Sequence, residues 1–414
     1  MPATSALTLS DRVARLAGSS TLAITARVKE LRAEGADVIG FGAGEPDFDT
    51  PDFIKEAAIE ALRAGRTRYA PVAGEPAARA AIATKLRDEN HIHCEPEDII
   101  INVGGKHSIY LALQCLLDPG KEQEVLLPTP AWVSYRPIIE LAGGIVRELP
   151  GAVENDFKIT ADQLAAAISD RTRLLIINSP SNPCGTMYSP EELRELAAVL
   201  DAHPQVVILT DEMYEKLIYG GIEHLSLGSL ESIADRVITI GGLSKAYAMT
   251  GWRIGYTCVP GDDGAFIKAM TRLQSQMTSN ITSFCYPAIV EALTNGGEAV
   301  EAMRQTFAQR AELIHSRLSA IEGIVCPKPT GAFYAFPDIS AYFGRTSPKG
   351  AKVHSAVDFA AALLDEARVA VVPGDDFGEI GRSHVRFSFA CADDLIETGM
   401  DRFAQWLGGF SASP

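Results

Sequence analysis

Between about residues 50 and 260, short apolar runs alternate with segments of helical periodicity, and that alternation restricts the chain to very few folds. It is the signature of an α/β domain built on a mostly parallel sheet. The expected strands are Asp98–Val103, Glu124–Leu127, Gly144–Glu148, Arg173–Asn178, Val206–Thr210, Val237–Ile240 and Arg253–Val259, seven in all. Boundary signals support this spacing. Thr50-Pro51 reads as an N-cap and first helical residue, and Ser189-Pro190-Glu191-Glu192 as an N-cap, a first-turn proline and the acid of a capping box.

Beyond Gly297 the pattern changes. Val300, Met303, Phe307, Ala311, Ile314 and Leu318 recur at helical spacing and predict one long amphipathic helix. A strand at Ala332–Phe336, a helix near Asp358–Ala367, a strand near His384–Phe389 and a closing helix from Asp393 follow, which reads as a smaller α+β domain. The strand Val38–Gly42 is assigned to that same unit. The expected division is residues 1–50 as an arm and part of the small domain, 51–296 as the large domain, and 297–414 as the small C-terminal domain.

Several classes of function are disfavoured at this stage. The 37 basic and 53 acidic residues give a net charge of -16, which repels a phosphate backbone and argues against nucleic acid as a partner. Any anion bound here must meet local positive groups. The seven cysteines are scattered and never form CxxC, so neither a disulfide framework nor a metal site is expected, and the thiols suit a cytoplasmic compartment. The N-terminal MPATSALTLSDRVARLAG lacks the features of a secretory signal, although a trimmed transit peptide would leave no trace. No apolar run approaches the roughly 18 residues of a membrane helix.

In open α/β sheets, function gathers at the carboxyl ends of strands. Those ends are polar here. Val206–Thr210 runs into Asp211, Arg173–Asn178 into Ser179-Pro180-Ser181-Asn182-Pro183, and Val237–Ile240 into Gly241-Gly242-Leu243-Ser244-Lys245. An acid, an amide and an amine are thereby presented together. A lysine among glycines and apolar residues loses solvation of its ammonium form, which raises the nucleophilic fraction that attacks an aldehyde. Taken alone, Lys245 reads as a surface lysine in a turn, and Asp211 equally as a helix cap or a metal ligand. Together they suit pyridoxal phosphate, whose ring nitrogen needs a carboxylate while its aldehyde carbon joins a lysine amine as a Schiff base. A nucleotide site fits less well: Gly104-Gly105-Lys106-His107 fails the P-loop pattern, and Gly40-x-Gly42-x-Gly44 fails GxGxxG.

Gly242-Leu243-Ser244-Lys245 followed by Gly251-Trp252-Arg253-Ile254-Gly255 resembles the cofactor-attachment signature of the class I aminotransferases. The resemblance extends over nearly the whole chain and is strongest to the bacterial and plastid aspartate branch, which includes prephenate aminotransferases. It implies the type I fold of pyridoxal-phosphate enzymes, an α/β large domain with a mostly parallel seven-stranded sheet plus a smaller α+β domain. Gly42–Pro51 resembles the segment in which the backbone at Gly44 touches the substrate carboxylate. Tyr69 resembles the tyrosine that reaches the cofactor phosphate of the neighbouring subunit, which implies a homodimer with shared active sites. Gly104, Gly105 and Lys106, between a strand and a helix, favour a phosphate. Trp132 resembles the aromatic that stacks on the cofactor ring, and Asn182 and Tyr214 match the partners of its phenolic oxygen. Arg253 matches the phosphate-binding arginine, and Arg386 the arginine that pairs with the substrate α-carboxylate.

The resemblance implies a ping-pong exchange between an amino acid and a 2-oxo acid, with Lys245, Asp211 and Tyr214 as catalytic residues and Lys245 as proton carrier. Substrate choice follows from smaller signals. Animal-type aspartate enzymes use a partner-subunit arginine for the distal carboxylate, and Ser275–Asn280 contains none. Thr21 and Lys106 instead match positions that the branch associates with its second, dicarboxylate-bearing substrate, although Thr21 reads equally as a helix cap and Lys106 as a phosphate ligand. Aspartate or glutamate with oxaloacetate or 2-oxoglutarate ranks first, prephenate is an addition, and neutral or aromatic amino acids come next. Two other classes share the fold: carbon–heteroatom lyases, which turn over one amino acid without an acceptor, and non-catalytic sensors, which carry an added DNA-binding segment not found here.

Overall fold

The structure is a computed structural model that describes residues 7, 9–16, 18 and 20–411, with the side chains of 20–23 and 25 excepted. Its strands are β1 (Ile39–Gly40), β2 (Ile99–Asn102), β3 (Glu124–Thr129), β4 (Ile145–Pro150), β5 (Thr172–Asn178), β6 (Val207–Asp211), β7 (Val237–Gly242), β8 (Gly255–Cys258), β9 (Tyr334–Ala335), β10 (Val369–Ala370), β11 (Val372–Pro373) and β12 (Val385–Ser388). Seven of them form one sheet in the order β2-β8-β7-β6-β5-β3-β4. Only β8 runs against its neighbours. Strands β2 and β5 are apolar along their length because helices cover both faces of the sheet: Ile99, Ile100 and Ile101 are wholly buried, as are Leu174 and Leu175.

The helix Pro190–Asp201 begins with the expected capping box, Ser189 accepting from the Glu192 N–H and Glu192 accepting from the Ser189 N–H at 2.7 Å. The expected cap at Thr50 is not formed. The helix starts at Asp52 after Pro51, and the Thr50 hydroxyl donates to the Ala248 carbonyl at 2.7 Å while accepting from the Trp252 indole at 3.0 Å. Long-range hydrogen bonds have taken a side chain that local propensity assigns to the helix.

The long helix Gly297–Ser319 buries Val300, Met303, Phe307, Ala311, Ile314 and Leu318, the stripe read from the sequence. Against it pack the three-stranded antiparallel sheet β11-β12-β9 and the helices Ala356–Ala367 and Asp393–Gly408. β1 pairs in parallel with β10, far along the chain, and so joins this apolar cluster through Ile39 and Phe41. No helix among the described residues is long and apolar enough to cross a membrane.

Candidate active site

Asn102, Asn178, Asp211 and Gly242 end β2, β5, β6 and β7 along one edge of the large sheet. β8 runs the other way, so its first residue, Gly255, pairs with both Asn102 and Gly242 and brings the preceding Arg253 to that edge. A cavity of about 320 Å³ opens there. Its lining includes Gly44, Gly105, Lys106, Trp132, Tyr135, Asn182, Asp211, Tyr214, Lys245, Arg253, Tyr334 and Arg386.

Lys245 lies just beyond β7, and its Nζ donates to the Gly44 carbonyl at 2.5 Å. Burial pulls the amine down to about 8, helped by Arg386 and Arg253 and opposed by Glu45 and Asp211. The neutral, nucleophilic fraction therefore grows as pH rises through about 8. Capture of added pyridoxal phosphate by the cofactor-free protein, followed by stopped-flow absorbance, is expected to quicken about tenfold per unit well below that pH and level off above it. A rate independent of pH between 6 and 9 would contradict this assignment.

Asp211 is buried, and each carboxylate oxygen has one donor: the Tyr135 hydroxyl at 2.7 Å and the Met213 N–H at 3.2 Å. Burial pushes the carboxyl above its ordinary range, while these donors and Lys245 pull it back. Behind it, Glu212 accepts from Ser226 at 2.6 Å and from the Asn90 amide at 3.1 Å, and Lys85 pairs with Glu215. The turn after β6 is thus held from outside the cavity. A cationic N–H would complete the environment of Asp211.

Gly104 has φ +79°, and a Cβ there would lie 2.5 Å from an Arg253 guanidinium nitrogen. A Cβ at Gly255 would lie 2.4 Å from the Gly104 and Gly105 backbone. These glycines let Arg253 close on the start of helix Gly105–Leu116, where the first N–H groups have no preceding turn to bond. Such a cradle suits a phosphate. Lys106 Nζ stands 4.9 Å from the Trp132 ring centroid, and burial, then Arg253, lowers its pKa.

Arg386, on β12, is 3% exposed. Its Nη1 donates to Asn182 Oδ1 and its Nη2 to the Gly42 carbonyl, both at 2.9 Å, and its Nε is buried without a partner. Asn182 Oδ1 being engaged, its Nδ2 remains as the donor toward the cavity. The Tyr214 hydroxyl lies 2.8 Å from that of Tyr334. Among the described residues, no carboxylate lies within ion-pair distance of Lys106, Lys245, Arg253 or Arg386.

Of the residues singled out from the sequence, Gly44, Gly105, Lys106, Trp132, Asn182, Asp211, Tyr214, Lys245, Arg253 and Arg386 therefore line one cavity. Gly104 lies behind its wall against Arg253. Tyr69 stands apart, 91% exposed. Thr21 is in helix Ser20–Ala33, but its side chain falls outside the described residues. Tyr135 and Tyr334 were not singled out. Tyr135 sits three residues after Trp132, a spacing that offered a signal; Tyr334, inside an apolar run, offered none.

Residues 36–403 match the family model of the class I and II aminotransferases. The chain is 46% identical over 400 residues to an aspartate aminotransferase of Geobacillus stearothermophilus, covering 96% of this chain and 98% of that one. It is 45% identical over 404 residues to an aspartate/prephenate aminotransferase of Cereibacter sphaeroides, covering 97% and 99%. Among solved structures, the aspartate aminotransferase of Thermus thermophilus with maleate superposes with a TM-score of 0.89 at 40% identity, covering 96% of this chain and 99% of that one.

Proposed function

The chain belongs to the class I and II aminotransferase family and is an aminotransferase, and we propose that its cavity holds pyridoxal phosphate on Lys245 and exchanges the amino groups of aspartate and glutamate with their 2-oxo acids. The charge of the cavity carries this reading. Four cationic side chains and one carboxylate line it, in a chain whose net charge is -16. Each has a counterpart in the cofactor or substrate.

Arg253, with the cradle at Gly104 and Gly105, holds the phosphate. Asp211 meets the ring nitrogen, Trp132 stacks on the ring, and the Asn182 amide and Tyr214 hydroxyl donate to the phenolic oxygen. Arg386 takes the substrate α-carboxylate beside Gly44, and Lys106 is left for a second carboxylate, with Thr21 as its companion. When bound, the cofactor supplies an electron sink for the pair left on the substrate α-carbon. Lys245 would be the group that takes the proton from that carbon and returns it at the aldehyde carbon. The proposed division into 51–296 and a smaller unit of 297–414 with the N-terminal arm puts Lys245 on one body and Arg386 on the other. Closure of the second on the first would complete the site.

The exposure of Tyr69 supports a role at the site of a second copy in a homodimer. The seven free thiols support a cytoplasmic setting. A dicarboxylate substrate is supported by the names of the two relatives and by the maleate of the Thermus thermophilus structure. The test is the visible spectrum of the loaded protein during sequential addition of amino acids and 2-oxo acids. Aspartate or glutamate is expected to bleach the band and oxaloacetate or 2-oxoglutarate to restore it, with prephenate as a further acceptor. Bleaching by neutral or aromatic amino acids alone would overturn the substrate assignment, and product release without an acceptor would indicate a lyase.

A further inference from the structure

Tyr334 has no part in the reading above, yet it touches three residues that do. Its hydroxyl is 2.8 Å from that of Tyr214, its ring centroid lies 4.7 Å from the Arg386 guanidinium, and a Cβ at Gly44 would come 3.0 Å from its oxygen. It is 1% exposed and sits on β9, hydrogen-bonded to the strand that carries Arg386. We propose that Tyr334 is a positioning residue for Tyr214: it donates its hydrogen to the Tyr214 oxygen, so that the Tyr214 hydrogen points into the cavity at the cofactor's phenolic oxygen.

The inference rests on the pyridoxal-phosphate reading. Two hydroxyls at this distance share one hydrogen bond, so one donates and the other accepts. If Tyr214 donated to Tyr334, it would have no hydrogen left for a ligand. An anionic phenolic oxygen is the stronger acceptor and draws the Tyr214 hydrogen toward itself. The Arg386 charge over the Tyr334 ring polarises that O–H toward donation, and a chain of two donors strengthens the terminal bond. The charged groups facing the pair are Arg386 from β12, Asp211 from the end of β6 and Lys245 from beyond β7. A Tyr334→Phe exchange leaves all three in place.

The test is a pH titration of the visible band of the loaded, substrate-free enzyme in four forms: unaltered, Tyr214→Phe, Tyr334→Phe and the double variant. Weaker donation leaves the phenolic oxygen more basic, so the proton it shares with the lysine linkage is retained to higher pH. Tyr334→Phe is expected to raise the midpoint by about half a unit to one unit. Tyr214→Phe should raise it further, and adding Tyr334→Phe to that variant should change nothing. An unmoved midpoint in Tyr334→Phe beside a shifted one in Tyr214→Phe would overturn the proposal and leave the cofactor reading intact. Additive shifts in the double variant would overturn it too, because Tyr334 would then act by another route. No shift in Tyr214→Phe would take Tyr214 away from the phenolic oxygen and overturn the proposal, whereas absence of any band would remove the cofactor reading and this proposal with it.

Discussion

Lys245→Ala is expected to keep binding pyridoxal phosphate while transferring amino groups about 10,000-fold more slowly than the unaltered enzyme. Binding should survive because the proposed phosphate cradle at Gly104, Gly105 and Arg253 and the carboxylate of Asp211 are separate from the lysine. Turnover should not, because in the proposed reaction one amine both holds the aldehyde carbon and moves the α-proton. The fold should tolerate the change: the side chain contributes a hydrogen bond to the Gly44 carbonyl, and its burial already disfavours the charged form. Lys245→Arg separates charge from proton transfer. A guanidinium keeps the positive charge but stays protonated, so this variant should be about as slow as the alanine form. Cofactor content after gel filtration and single-turnover absorbance with aspartate are the measurements. A rate within tenfold of the unaltered enzyme in either variant would remove Lys245 from its assigned role.

The large sheet was legible because covering both faces of a strand demands an apolar residue at nearly every position, as in Ile99–Ile101 and Leu174–Ile177. The strands anticipated from the sequence agree with the observed ones to within two residues at each end. The short strands β10 and β11 were not anticipated. Val369, Ala370, Val371 and Val372 form one apolar run, and no periodicity marks where the chain leaves β1 to join β12.

In the site, Trp132, Asn182 and Tyr214 were legible through the family resemblance, and the residues legible from their own chemistry were those whose burial is costly. A lysine, an aspartate and an arginine set in apolar surroundings each demand a partner, and the three converge on one cavity. Tyrosines make no such demand. Tyr135 and Tyr334 read as ring-filling core residues, and only the folded arrangement shows one hydroxyl on Asp211 and the other on Tyr214.

Arg386 supports the second large effect. Its fork meets only neutral acceptors, the Asn182 amide oxygen and the Gly42 carbonyl, and its Nε has no partner. A guanidinium buried without an anion is poorly compensated, and a carboxylate entering the cavity would supply the missing charge. Two charge-assisted hydrogen bonds are worth about 3–6 kcal/mol together, so Arg386→Ala is expected to lower kcat/KM by about 100- to 10,000-fold. Because every amino acid and 2-oxo acid carries the α-carboxylate, KM should rise for both partners of the reaction. Arg386→Lys keeps the charge without the planar fork and should fall between the two. Arg386 also helps hold the Lys245 amine down, so its removal should move the pH dependence of cofactor capture upward from about 8. Steady-state kinetics with aspartate and 2-oxoglutarate, together with that capture profile, test both consequences. An unchanged KM for both substrates would mean that the α-carboxylate is bound elsewhere, and the buried arginine would then be left without an anion.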